Sequence, residues 1–275
     1  MKKPITIDND SVVSDVIRKL LDQKISRALV SKGDDIVGII TEKDLGFFLL
    51  TDSSERKLEE IRLSEVVKPL LSINEFSSVK ECAKSMLENG IGSLGVESES
   101  NTVGIITKTD LAKDFAANCK GKKTVGEYMS PFYAWAYSDE KLSKIVSKMI
   151  DDKISRLVLR NHQDIPVGIL SFRDLFRTAL TQGQEENVLD NSDPAISVVF
   201  TRKGFLSDSG FGGTTPANDI MNDEIITVNY DDDLAKACDV LITNSINGVG
   251  VLSANGTLIG ILSKTDIIKA IAFLN

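Results

Sequence analysis

Apolar residues in this chain alternate between helical and strand spacing in an order that recurs four times. In the first copy, positions 13, 16, 17, 20 and 21 are apolar at the spacing of a helix face. Stretches 25–30 and 36–40 are typical of strands on either side of a Gly-containing turn, and a second helix is expected from Asp44 to Leu50. With the extended piece 5–7 in front, one copy is predicted to be strand, helix, strand, strand, helix.

The other copies follow the same order, which predicts a repeat architecture rather than an irregular domain. Their opening strands are expected at 71–73, 133–136 and 226–228, and the hairpin of the last copy turns at Ala254–Gly256. The four units span about 1–52, 64–118, 124–180 and 216–275. We call them repeats 1 to 4.

One segment, 181–215, does not repeat. It begins with polar residues, contains a candidate extra strand at Ala195–Phe200, and ends in a stretch rich in Gly and Ser. Long connections inside compact domains are commonly functional or mobile. A flexible or partner-contacting insertion is therefore predicted.

Each repeat ends in an octapeptide that runs from a strand into a helix. The copies start at Gly38, Gly104, Gly168 and Gly260, and each carries a hydroxyl residue followed three places later by aspartate. One interpretation is a capping box, in which the hydroxyl and the acid satisfy N–H groups at the helix start. The other is a ligand site, in which helix N–H groups bind an anion and the polar side chains face a ribose.

A finer pattern separates odd from even repeats. Asp22–Arg27 matches Asp151–Arg156, and Asn89–Val96 resembles Asn244–Val251. The natural boundary is the basic stretch 120–123, which predicts one module at 1–120 and a second at 121–275.

Composition narrows the function classes. The formal net charge of −8 disfavours a protein that neutralises nucleic-acid phosphates. The three cysteines are far apart and form no C-x-x-C pair, so neither a disulfide framework nor a metal site is predicted, and a cytoplasmic location is expected. No apolar run has the length of a membrane span. The one histidine, His162, sits in a polar turn, so no catalytic triad and no enzyme activity are expected.

The fourfold unit ending in G-h-h-[ST]-x-x-D resembles the CBS (cystathionine beta-synthase) domain family over nearly the whole chain except the insertion. Val125–Met129 and Ala217–Met221 resemble the opening segment of that family's unit. The resemblance implies an α/β fold of four βαββα units, paired through their sheets into two Bateman modules that can assemble as a flat disk. The arrangement is similar to that of the gamma subunit of AMP-activated protein kinase.

The resemblance also implies adenosine-containing ligands in clefts between paired units. The ribose position falls on Asp44, Asp110, Asp174 and Asp266. The hydroxyl position beside ribose and phosphate falls on Thr41, Thr107, Ser171 and Ser263. The adenine position falls on Ile25, Ile91, Ile154 and Ile246, and the first strand closes the base pocket with Thr6, Ser72, Ala134 and Thr227.

Repeats 2 and 4 are the favoured sites. The small or polar residues Gly92, Ser93, Asn247 and Gly248 keep the strand edge open in these repeats. Lys108 and Lys264 follow the cap hydroxyl, and Arg27 and Arg156 are expected to reach phosphate from the partner repeat; the alternative for these four is an ordinary solvated charge. Repeat 3 departs from the pattern at Phe172 and Ala134. Trp135 is expected to pack between units rather than to stack on a base.

The expected function is a non-catalytic sensor of AMP, ADP or ATP that acts on a protein partner or as a homodimer, with no cofactor, no metal and no membrane or nucleic-acid partner. One alternative is another adenosyl ligand, such as S-adenosylmethionine. A further alternative is a ligand-free scaffold in which the aspartates only cap helices.

Overall fold

A computed structural model of the chain describes residues 4–51, 56, 58–99, 101–176, 178 and 211–273. Most of the 181–215 insertion, including the candidate strand at Ala195–Phe200, lies outside the described residues. The described end of the insertion contains a short helix, Phe211–Thr214.

The four repeats have the predicted order of elements. Repeat 1 contains β1 (Thr6–Asp8), α1 (Val13–Asp22), β2 (Arg27–Lys32), β3 (Asp35–Thr41) and α2 (Glu42–Thr51). Repeat 2 contains β4 (Ser72–Asn74), α3 (Val79–Glu88), β5 (Ser93–Ser98), β6 (Asn101–Thr107) and α4 (Lys108–Asn118). Repeat 3 contains α5 (Val125–Tyr128), β7 (Trp135–Tyr137), α6 (Leu142–Asp151), β8 (Arg156–Arg160), β9 (Pro166–Ser171) and α7, described over 172–176. Repeat 4 follows the helix Phe211–Thr214, here α8, and contains β10 (Thr227–Asn229), α9 (Leu234–Thr243), β11 (Gly248–Leu252), β12 (Leu258–Ser263) and α10 (Lys264–Phe273). Single 3-10 turns lie at Leu58–Glu60, Leu63–Glu65 and Ala217–Asp219.

Each repeat builds its own three-stranded sheet. The first strand runs parallel to the second, which is the central strand, and the third is antiparallel to the second. This α/β architecture confirms the fold expected from the sequence.

The middle strand begins two residues later than predicted, because a helix C-cap occupies its expected first residues. In repeat 1 the N–H of Ile25 donates to the Leu20 carbonyl at 2.9 Å, the N–H of Lys24 donates to Leu21 at 3.0 Å, and Lys24 has φ +53°. These are the two hydrogen bonds of a Schellman motif. The residue before each equivalent isoleucine is also left-handed, at Gly90, Lys153 and Ser245. The four isoleucines therefore end helices rather than start strands.

The structure divides into two compact bodies, each made of alternate repeats. One body comprises Ile5–Pro69 and Ala134–Glu224, and therefore the sheets and long helices of repeats 1 and 3 together with the opening segments 64–69 and 216–224 of the other two repeats. The other comprises Leu70–Tyr133 and the C-terminal stretch from Ile225, and therefore the sheets and long helices of repeats 2 and 4 together with the opening segment of repeat 3, which contains α5. We call them the 1/3 body and the 2/4 body. The predicted modules at 1–120 and 121–275 group the repeats differently, and that grouping stays a prediction.

Helices from both repeats of a body enclose its core. In the 2/4 body, α10 packs against α3 and α4, and α9 packs against α4. Phe115, Met86, Leu241 and Ile268 are among its fully buried side chains. The core of the 1/3 body likewise combines Leu20 and Leu45 with Leu142, Ile145 and Phe172. Repeats 2 and 4 thus share one hydrophobic core, and repeats 1 and 3 share another.

The glycine that opens the octapeptide has a packing role. Ile39 and Lys68 exchange two backbone hydrogen bonds of 2.9 Å, which adds a connecting segment to the free edge of β3. A Cβ atom at Gly38 would lie 2.5 Å from the Lys68 carbonyl oxygen. A connecting segment approaches Gly168 and Gly260 just as closely, with carbonyl oxygens 2.8 and 2.7 Å from such an atom. Only glycine allows this backbone approach.

Candidate functional site

The hydroxyl and the aspartate of every octapeptide are hydrogen-bonded to each other at the start of the second helix. The hydroxyl donates to Oδ2 of the aspartate at 2.5 Å from Thr41, 2.6 Å from Thr107, 2.6 Å from Ser171 and 2.7 Å from Ser263. The Thr107 N–H also donates to Asp110 at 3.0 Å, and the Asp110 N–H returns a bond of 3.3 Å to the Thr107 hydroxyl. The hydroxyl–aspartate bond of the predicted cap is therefore present in all four repeats, and repeat 2 has the complete reciprocal capping box.

Capping uses only one carboxylate oxygen in three of the repeats. The hydrogen bonds to the carboxylates of Asp44, Asp110 and Asp174 end on Oδ2, and Oδ1 has no hydrogen-bond partner among the described residues. Asp110 is exposed, and Asp44 and Asp174 are half-buried. A ribose hydroxyl could therefore bind Oδ1 while Oδ2 keeps the cap.

Asp266 is different, although the sequence favoured it as a ligand residue. Its side chain is buried, with 2% of the residue exposed, and its Oδ2 accepts the cap bonds. Oδ1 accepts from Lys269 Nζ at 2.9 Å and from the Ser130 hydroxyl at 3.4 Å. Both oxygens of this carboxylate are thus engaged by the protein.

The backbone of the helix start is also partly used. The first helical N–H donates to the residue before the middle strand, as from Lys108 to the Gly92 carbonyl at 3.1 Å and from Lys264 to Asn247 at 3.0 Å. The N–H of the third residue, Asp110, bonds to the cap hydroxyl. The N–H of the second residue, Thr109, has no acceptor among the residues that the structure describes. One amide at this helix start is therefore open to an anion.

In the 2/4 body, the lysine that follows each cap hydroxyl crosses to the other repeat. Lys108 Nζ donates to the Thr265 hydroxyl at 2.9 Å, and Lys264 Nζ donates to the Thr109 hydroxyl at 3.0 Å. Lys264 is only 7% exposed. It is therefore not the solvated surface charge that was the alternative interpretation.

The 1/3 body has a different set of side chains at the same positions. Arg173 bonds to Glu42 at 2.7 Å, and Phe172 is buried at 3% exposure. Phe172 packs on α2, where its ring is 5.6 Å from that of Phe47. This pair of helix starts is therefore joined by an ion pair and an aromatic contact rather than by lysines.

The strand register sets the two arginines opposite cap hydroxyls of their own repeats. Arg27 lies across from Thr41, and Arg156 lies across from Ser171. Burial lowers the pKa of the Arg156 guanidinium, an effect that Glu42 opposes. Their predicted contact with phosphate bound to a partner repeat stays a prediction.

Two residues predicted for the adenine pocket lie opposite the cap hydroxyl residue of their repeat. Ser93 is buried and opposite Thr107, and Gly248 is opposite Ser263. The isoleucines at the helix C-caps are half-buried: Ile25, Ile91, Ile154 and Ile246.

On the first strands, three of the four predicted pocket residues are equivalent in register. Thr6, Ser72 and Thr227 lie opposite Leu29, Gly95 and Gly250 of the middle strands. The equivalent residue in repeat 3 is Trp135, which lies opposite Val158, so the assignment of Ala134 was wrong by one residue. The cause is that β7 begins at Trp135.

Trp135 is 37% exposed and contacts residues of its own repeat. The Arg160 guanidinium lies 4.9 Å from the Trp135 ring, and the Tyr137 ring meets it edge-on at 5.3 Å. His162 stacks on Tyr137 and bonds to Asp139 at 2.7 Å, in the exposed turn predicted for it.

No group of three or more potential metal ligands occurs within the described ranges. Across those same ranges, no helix is both long and apolar enough to cross a membrane.

Comparisons with known proteins agree with the repeat structure. The family model for the CBS domain matches residues 1–49, 60–117, 125–180 and 217–273. Protein MJ1225 of Methanocaldococcus jannaschii is 20% identical over 98% of this chain and 96% of its own length. Protein MJ1404 of the same organism is 26% identical over 96% of this chain and 61% of its own length.

Two solved structures match over 98% of this chain and 96% of their own chains, each at 19% identity. One is MJ1225, proposed as an archaeal homolog of g-AMPK, with a TM-score of 0.78. The other is a conserved protein from Pyrococcus horikoshii, with a TM-score of 0.63. At this identity the two structures establish the fold.

Proposed function

Since the chain belongs to the CBS domain family and carries four copies of the domain, we propose that it is a non-catalytic regulatory protein that binds an adenine nucleotide, AMP, ADP or ATP. The best site is the start of α4 in repeat 2. The observation that carries the proposal is the exposed carboxylate of Asp110, with one oxygen engaged in the cap and the other open, beside a lysine ammonium bonded to Thr109.

The ribose end of the ligand fits the open oxygen of Asp110. A carboxylate oxygen accepts hydrogen bonds from hydroxyl groups, and a bond to a charged acceptor contributes about 1.5–3 kcal/mol. Because Oδ2 alone holds the helix cap, the ribose contact does not require the cap to open.

The phosphate end fits the helix start. A helix N-terminus favours an anion through its free N–H groups and its dipole, and the Thr109 N–H is available there. The lysine ammonium at the Thr109 hydroxyl adds a charge-assisted donor at the same point.

The four repeats rank differently as nucleotide sites. In repeat 4 both oxygens of Asp266 are engaged, so ribose binding there has to displace Lys269 or Ser130. Repeats 1 and 3 keep an open oxygen on Asp44 and Asp174, but the residues that cross to their helix starts are Phe172 and Glu42 rather than a lysine. Repeat 2 is the one that combines both features.

Regulation follows from binding if the ligand has different affinities for two arrangements of the protein. The readout would then be a protein partner or a second copy of this chain. The matched family is generally regulatory and non-catalytic, which supports this class of function.

A second candidate is another adenosyl ligand such as S-adenosylmethionine. The open oxygens of Asp44 and Asp174 favour it, because they fit a ribose while no lysine follows the cap hydroxyl in either repeat. A third candidate, the ligand-free scaffold, is favoured by the intact caps of all four repeats.

Calorimetric titration of the full chain with AMP, ADP, ATP, adenosine and S-adenosylmethionine separates these candidates. We expect nucleotide binding to be lost in Asp110→Ala and kept in Asp114→Ala, a matched control on the same helix. Ligand at a hundredfold its dissociation constant should stabilise the fold by about 2.7 kcal/mol. If no compound binds, the scaffold function stands and the sensor is refuted.

A further inference from the structure

The residue directly after the cap hydroxyl contacts the opposite repeat of its body in all four cases. Lys108 contacts Thr265, and Lys264 contacts Thr109. Glu42 contacts Arg173. Phe172 packs on α2, where a Cβ atom at Gly46 would lie 2.9 Å from its ring.

The crossing brings each side chain to the other repeat's helix. Thr109 is the second residue of α4, and its N–H is the amide that remains open at that helix start. The ammonium of Lys264 from repeat 4 contacts the same residue, at 3.0 Å from the Thr109 hydroxyl. The lysine of repeat 2, Lys108, instead donates to the second residue of α10.

We infer that this crossing residue sets the charge of the ligand accepted by the opposite repeat. The inference rests on the proposed function and deepens it. Lys264 supplies the phosphate-binding cation of repeat 2, and Lys108 supplies that of repeat 4. Glu42 gives repeat 3 a carboxylate, and Phe172 gives repeat 1 no charge.

The consequence is a division of ligand class between the two bodies. At the start of α7 the guanidinium groups of Arg156 and Arg173 face the carboxylates of Glu42 and Asp174, so the charges of this site balance without a phosphate. A buried phenylalanine offers no donor at all. The 2/4 body therefore takes the nucleotide, while the 1/3 body takes an adenosyl ligand that has no phosphate.

Two lysine variants test the crossing at the repeat 2 site. Calorimetry with ATP and with adenosine is run on Lys264→Met and Lys108→Met, and Asp110→Ala identifies which binding event belongs to repeat 2. Lys264→Met should lower the affinity of that site for ATP by about tenfold or more, because one charge-assisted hydrogen bond is lost. The adenosine affinity of Lys264→Met should equal that of the wild type. Lys108→Met should leave the ATP affinity of the repeat 2 site unchanged. Lys264→Arg, which keeps the charge, should retain most of the ATP affinity.

Several results would overturn the inference while leaving the proposed function intact. One is ATP binding at repeat 2 that depends on Lys108 and not on Lys264. Another is an equal loss of affinity for ATP and for adenosine in Lys264→Met, which would mean that the lysine only holds the helices together. A wild-type chain that binds neither compound would instead refute the proposed function itself.

A gain of binding provides a test that does not depend on the folding of the Lys264 variants. Glu42→Lys combined with Arg173→Thr recreates at α7 the lysine–threonine contact of α10, beside the open oxygen of Asp174. We expect one additional ATP per chain, measured by calorimetric stoichiometry. An unchanged stoichiometry in the folded double variant would overturn the assignment of Glu42 as the residue that excludes phosphate.

Discussion

Replacing the octapeptide aspartate of repeat 2 and that of repeat 4, each in its own variant, should destabilise the ligand-free protein by different amounts. Asp110→Ala deletes an exposed cap, in which Oδ2 accepts two bonds from Thr107. The loss of such a cap costs about 1 kcal/mol. Water can solvate the N–H and the hydroxyl left behind at this exposed position.

Asp266→Ala deletes the equivalent bonds from Ser263 and also those that Oδ1 accepts from Lys269 and Ser130. The carboxylate is 2% exposed, so the donors of Ser263 and Ser130 that it satisfies are left without their acceptor away from bulk water. An unsatisfied buried donor costs about 1–3 kcal/mol. Lys269 adds little, because its side chain is 46% exposed and can turn to water. The expected total is about 3 kcal/mol, or about 2 kcal/mol more than for Asp110→Ala.

Urea denaturation followed by far-UV circular dichroism measures the difference. Both residues belong to one compact body, so the same unfolding transition reports on both variants. Asp114→Ala, elsewhere on α4, is the control and should stay within about 0.5 kcal/mol of wild type. Equal losses for Asp110→Ala and Asp266→Ala would refute the reasoning, because burial and the second set of bonds would then contribute nothing.

Three further predictions concern the fold. Gly38→Ala places a Cβ atom 2.5 Å from a backbone carbonyl and should cost about 1–3 kcal/mol, whereas Val37→Ala, at a 44% exposed neighbour, should be close to neutral; equal urea midpoints would contradict this. Burial raises the pKa of the Cys238 thiol to about 12, so alkylation at pH 8 followed by mass spectrometry should label it only on unfolding, and rapid native labelling would be the contrary result. The hydrogen bond from His162 is the main cause that lowers the pKa of Asp139, so stability from this pair is present above the ordinary carboxyl pKa and is lost as the pH falls through the lowered value. In an NMR titration His162→Ala should raise the Asp139 midpoint, and an unmoved midpoint would count against the contact.

The parts of the site that sequence predicts well are those decided within a few residues. A hydroxyl followed three places later by an acid is enough to join the two side chains at the helix start, and all four octapeptides form this hydrogen bond. The order of strands and helices is equally local, because it follows from apolar spacing. Both were therefore predictable from the sequence alone.

Element boundaries were less predictable where an ordinary residue takes an unusual backbone conformation. Lys24 and Lys153 adopt positive φ at helix C-caps, a role that glycine fills more often. The sequence therefore does not mark where these helices end. The same limit explains the misplaced Ala134, because a three-residue strand with one buried side chain fixes its register only by pairing.

The sequence also could not assign the repeats to bodies. The odd–even pattern of similarity compares repeats but says nothing about which helices share a core. That choice depends on how the apolar faces of α3, α4, α9 and α10 fit together. The crossing of Lys108 and Lys264, and the burial of Asp266 beside a connecting segment, follow from this packing.

The two oxygens of the carboxylate explain how one motif can cap a helix and still bind a ligand. If both oxygens were needed for the cap, ribose binding would have to repay about 1 kcal/mol of lost helix stability. In repeat 2 the bonds of the cap end on Oδ2, and Oδ1 of Asp110 points to no partner among the described residues. The cap instead holds the carboxylate in one orientation, which lowers the entropy lost on binding.

In repeat 4 the same motif has lost this property because Lys269 and Ser130 occupy the second oxygen. The difference between a ligand site and a structural cap therefore lies in what the tertiary fold brings to Oδ1, and not in the octapeptide itself.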